Sequence, residues 1–214
     1  MFLFLILLFP TALYFCCSHS SKKIYGFLVA TGAFLGIFAS GATALFSYMH
    51  RIPEFSVASN FFYYFLKEYV LPLILVFALY FFATKDSVEF RVKAFFPVVA
   101  AFYAVYMPYC VIASSSAAFS FFQLFIKPVL MLSMVFMASF FAYRIYCAAL
   151  SKNIRKIVVL SLFALLMLLI PPALETMELL CIALPVVYIL AAVFALFALV
   201  LFFVNSRQDA KFLF

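Results

Sequence analysis

Lys127 is the residue whose type and position most demand a chemical explanation. It lies about two turns inside an apolar run that starts near Ser120 and Gln123, and Pro128 follows it directly. Ser120 and Gln123 have capping-box spacing: the serine side chain would accept the third helical N–H while the glutamine reaches back. The positive end of the helix dipole disfavours an ammonium there. Such a lysine either snorkels to the interface, which would be a structural role only, or pairs with a carboxylate. Four carboxylates fall on the same side of the expected membrane: Glu54, Glu68, Glu175 and Glu178. Glu175 is favoured, because it follows the helix-breaking pair Pro171-Pro172 and is expected at a short interhelical turn. Tyr103, Tyr106 and Tyr109 recur every third residue of another run, ending beside Pro108 and Cys110. Lys127, Glu175 and Tyr103 are therefore expected to form an outer polar pocket. Tyr106 and Tyr109 are expected in an interfacial tyrosine belt.

Other chemistries are poorly served. Ala39-Ser40-Gly41 resembles the nucleophile segment of rhomboid proteases, but Phe38 stands where that motif would want glycine. An intramembrane serine also needs a base, and the two histidines, His19 and His50, fall outside the apolar runs at opposite ends of the membrane. No CxxC, HExxH or cluster of carboxylates on one helix face suggests a metal, and nothing suggests a cofactor. Cys16, Cys17 and Cys147 fall near the cytosolic side. Cys110 and Cys181 fall toward the outer side, where alone an oxidising compartment could link them. The net charge of +7 comes from short basic flanks beside apolar runs, a pattern of membrane topology rather than of nucleic-acid binding.

All four glycines, Gly26, Gly32, Gly36 and Gly41, fall in one run. Gly32, Gly36, Ser40 and Ala44 recur every fourth residue and predict a smooth face on which another helix can pack closely. That face either seats the helix in its own bundle, making it the most enclosed one, or docks a partner membrane protein.

The elements that must position these residues are apolar runs. With 71% hydrophobic and 10% charged residues, the chain lacks the polar surface a water-soluble fold needs. Seven runs stand out: 2–17, 24–49, 60–83 (interrupted by Lys67-Glu68), 94–114, 121–150, 157–173 and 179–204, with a polar tail over 205–214. Residues 55–68 either lie in the interface or open a long third span, with Pro72 bending the helix in either case. Glu89 and Lys93 are spaced to pair on a cytosolic extension of the fourth span. Eleven basic residues, Lys22, Lys23, Lys85, Arg91, Lys93, Arg144, Lys152, Arg155, Lys156, Arg207 and Lys211, fall in alternate loops and the tail. Only three, Arg51, Lys67 and Lys127, fall on the other side. This asymmetry puts the amino terminus outside and the carboxyl terminus in the cytosol. The first run has neither a basic start nor a small-residue cleavage pattern, so it is read as an uncleaved helix.

The expected architecture is an all-α, polytopic transmembrane bundle of about seven spans, forming a single integral membrane domain over residues 1–214, in a bacterial cytoplasmic (inner) membrane. Three function classes remain, in descending order. The first is a small permease or the membrane subunit of a transporter assembly. The second is a non-transporting scaffold docking a partner through the glycine-bearing helix. The third is a lipid-modifying enzyme, which would want more acid, base or metal-binding residues. The lipid bilayer is the expected partner, with no nucleic acid.

Overall fold

A computed structural model describes residues 10–11, 25–49, 56–83, 88–113 and 120–212. These are helical wherever regular, with no strand among them. In chain order the helices are α1 (Tyr25–Met49), α2 (Val57–Tyr64), α3 (Leu71–Ala83), α4 (Val88–Ala113), α5 (Lys127–Leu150), α6 (Ile154–Leu179) and α7 (Leu184–Phe212). One π turn, Phe65–Val70, joins α2 to α3 without a break, and a second, Phe122–Ile126, leads directly into α5. Among the described residues, four helical stretches are long and apolar enough to cross a membrane: Gly26–Met49, Phe122–Leu150, Ile154–Leu179 and Leu184–Val204. The first apolar run beyond Pro10 and Thr11, the segment holding Glu54 and the side chains of Glu89 and Lys93 lie outside the described residues.

The chain divides into two compact units, Met1–Pro128 and Val129–Phe214. In the first unit α1 packs chiefly on α4, and also touches α3 and the first π turn. The contact is close because glycine leaves room for it. A Cβ on Gly32 would stand 2.5 Å from the Val98 carbonyl oxygen, and one on Gly36 would stand 2.7 Å from that of Phe102. The expected four-residue stripe does not hold to its end, since Ser40 is half-buried and Ala44 is exposed. A spacing of four overshoots the helical period by about 40° per step, so three steps carry Ala44 about 120° off the Gly32 meridian. The buried face instead runs Leu28, Gly32, Gly36, Ala39 and Thr43, where one three-residue step corrects the drift. Ser40 and Thr43 spend their hydroxyls on their own helix, donating to the carbonyls of Gly36 and Ala39 at 2.8 Å each.

Nor is α1 the most enclosed helix. Of its apolar window 28% is buried, against 67% for Phe122–Leu150. The small-residue stripe admits α4 closely on one side, while Phe27, Phe34, Ile37, Phe38 and Leu45 stay exposed.

In the second unit α6 packs on α7. Val187, Ala191, Phe194 and Ala198 form the buried stripe of α7, and its other faces expose Ile189, Val193, Leu196 and Val200. A helix apolar all round, of whose apolar window 28% is buried, has the surface that lipid requires. Pro171 and Pro172 do not end α6, which continues to Leu179. Glu175 consequently lies within the helix, fully buried, rather than at a turn. Proline is tolerated inside apolar helices, and Thr176 spends its hydroxyl on its own helix, donating to the Pro172 carbonyl at 2.8 Å. The 205–212 segment, expected as a polar tail, continues the α7 backbone.

Both helix ends in this unit close without glycine. After α5, Asn153 N–H bonds to the Ala148 carbonyl and Lys152 N–H to that of Ala149. After α6, Ile182 N–H bonds to Met177 and Cys181 N–H to Glu178. These are Schellman closures, with Lys152 (φ 52°) and Cys181 (φ 54°) in the left-handed position that glycine usually takes. With every glycine on α1, these turns have to be made by other residues.

Candidate functional site: a buried ion pair beside two π turns

The polar centre of the first unit begins with two prolines. Pro72 and Pro128 have no N–H, and each ring presses on the carbonyl four residues earlier. In both places the helix responds by widening. Leu71 N–H bonds to the Leu66 carbonyl, and Lys127 N–H to that of Phe122, each reaching back five residues rather than four. π turns of this kind occur mostly as single insertions and often at functional positions. Each one here places a charged residue at or next to the widened turn: Glu68 inside the first and Lys127 directly after the second.

The two charges meet. Lys127 Nζ is in direct contact with Glu68 Oε2, and their side chains are 1% and 2% exposed. Lys67 flanks the pair at 4.0 Å from Glu68 Oε1, with its own side chain 12% exposed. Aromatic faces cover both ammonium groups: Lys127 Nζ lies 5.9 Å from the Tyr64 ring centroid and Lys67 Nζ 5.3 Å from that of Tyr63. Cation–π attraction at this range adds to the ion pair where water is scarce.

Ser120 helps to place Lys127. Its Oγ accepts from the Gln123 backbone N–H at 3.2 Å, the forward half of the predicted capping box. The return half does not form among the described residues, where Gln123 Oε1 is buried with no hydrogen-bond partner. The intervening π turn changes the register in which the glutamine would reach back.

Among the described residues of this unit Glu68, one of the four carboxylates that the sequence offers, contacts Lys127; Glu175, the favoured one, belongs to the second unit. Lys127 does not snorkel into solvent, because its side chain is buried. Residues 57–83 form one continuous helical run, so Lys67 and Glu68 belong to one long helix. Tyr103 is buried, with its ring edge-on to Phe102 and Tyr106. Tyr106 does not belong to an interfacial belt: it is fully buried, and its hydroxyl donates to the Lys67 carbonyl at 3.3 Å. Neither Cys110 nor Cys181 is part of a disulfide. Among the described residues no group of three or more His, Cys, Asp or Glu could hold a metal.

Comparison with known proteins adds no relative: no family model, curated protein or solved structure matches this chain. The reading of the site therefore rests on its own chemistry. A buried carboxylate and ammonium, held at two helix discontinuities, can each trade the other for an ion of the same sign. They make up a polar centre, with Lys67 and the Tyr106 hydroxyl beside it, in a chain that is 71% hydrophobic.

Proposed function

We propose that this is a multi-spanning membrane protein acting as a small permease or as the membrane subunit of a transporter assembly. The Glu68–Lys127 pair would be its polar centre. The observation that carries this reading is the burial of that pair at two π turns, each followed by a proline. Ionisable residues inside apolar helices are costly and mark ion or substrate pathways, and interrupted helices commonly carry such sites in transporters. The charge pattern further supports seven spans with the amino terminus outside, in a bacterial cytoplasmic membrane. The scaffold reading loses its main support, since Gly32 and Gly36 face the chain's own α4.

The test uses purified protein in liposomes, exposed to a 13C-labelled extract of small cellular solutes, with uptake read by mass spectrometry. Uptake of specific solutes above empty liposomes, lost in the Glu68→Gln/Lys127→Met double variant, is expected. Uptake identical in the unchanged protein and the variant would reject the pair as a transport centre, and no uptake by either would favour a scaffold.

A further inference from the structure

We infer that Tyr106 is a positioning residue for the Glu68–Lys127 pair, its hydroxyl replacing the backbone donor that Pro72 lacks. The argument is one of hydrogen-bond register. In an α-helix the Lys67 carbonyl would accept from the Leu71 N–H, but that N–H is turned back to Leu66. In the π register the donor would be residue 72, a proline without an N–H. The Lys67 carbonyl is thus left over by both patterns, and a buried carbonyl without a donor is disfavoured. Tyr106 fills the gap from α4, reaching it at 3.3 Å.

The ring is held in place for this. It packs against Phe102 at 5.4 Å, Tyr103 at 6.3 Å and Tyr109 at 6.4 Å between centroids. The anchored carbonyl belongs to the peptide that leads into Glu68, so fixing it fixes the direction in which the Glu68 side chain leaves the backbone. Tyr106 thereby acts on the pair through the backbone of the π turn. This inference rests on the pair being the polar centre and does not depend on transport.

The test is a rescue. Tyr106→Phe keeps the ring and removes the donor, so it should lower the melting temperature and weaken the Glu68–Lys127 coupling measured by a double-mutant cycle. Pro72→Ala restores an N–H at residue 72, and in that background Tyr106→Phe should have little effect. If Tyr106→Phe is equally harmful with and without Pro72→Ala, the hydroxyl serves some other purpose and the inference fails. A second measurement covers the case in which Pro72→Ala does not fold. Lys67-Glu68 is the one Lys-Glu step in the sequence, so 13C-carbonyl lysine with 15N-glutamate labelling isolates a single amide signal. Its carbonyl resonance should move upfield in Tyr106→Phe, as a lost hydrogen bond requires. An unmoved resonance would overturn the inference. Neither experiment measures flux, so its failure is distinguishable from failure of the transport reading.

Discussion

Replacing Lys127 with methionine removes the ammonium while leaving a side chain of similar length. Glu68 then stays behind in a site where its side chain is 2% exposed. Removing one partner of a buried pair costs about 3–5 kcal/mol, because the survivor remains desolvated. Lys67 lies 4.0 Å from the same carboxylate and can partly compensate, which puts the expected cost at the low end, about 3 kcal/mol. Glu68→Gln alone should cost less, about 2 kcal/mol, since the amide oxygen can still accept from Lys127 and the Tyr64 ring still faces the ammonium. Together the two changes remove both charges, and buried pairs exchanged for neutral groups are often close to neutral. The double variant is expected to lose about 2 kcal/mol rather than the additive 5, a coupling of about 3 kcal/mol. The assay is reversible unfolding in bicelles, run on all four proteins under identical conditions. Additivity to within about 0.5 kcal/mol would show that the two side chains do not meet, and would remove the basis of the proposed site.

Gly32→Ala should destabilise by about 1–3 kcal/mol through overpacking against the Val98 carbonyl, whereas Gly41→Ala, with open space around its Cβ, should be neutral or slightly stabilising. Equal melting temperatures for the two variants would contradict the α1–α4 contact. Cys181→Gly and Lys152→Gly should each stabilise by about 0.5–1 kcal/mol by relieving a left-handed residue at a helix end, and a lower melting temperature in both would argue against the Schellman closures. Alkaline phosphatase fused at Ala117 should be active and at the carboxyl terminus inactive; an active carboxyl-terminal fusion would refute the proposed orientation.

The sequence by itself determined that the chain is helical and apolar enough to cross a membrane, that Ser120 opens a helix, and that Gly32 and Gly36 meet another backbone. Each of these follows from local composition or spacing. That Glu68 meets Lys127 was decided only by tertiary structure, because nothing local to Glu68 records what lies on a neighbouring helix. The π turns could be anticipated only as bends at Pro72 and Pro128; their hydrogen-bond register, and with it the task left to Tyr106, depends on how the two helices pack. Pro171-Pro172 looked like a helix end, yet the helix continues to Leu179, because the two prolines withhold N–H bonds only from the Met167 and Leu168 carbonyls and leave the rest of the ladder in place. The deeper reason lies in the solvent. In water a buried face is read from the contrast between apolar and polar sides of a helix. In α6 and α7 apolar residues cover both the packed and the exposed sides, as lipid permits, and that contrast is absent from the sequence. Faces, partners and registers are then set by shape and by a few polar groups, which only the folded chain brings together.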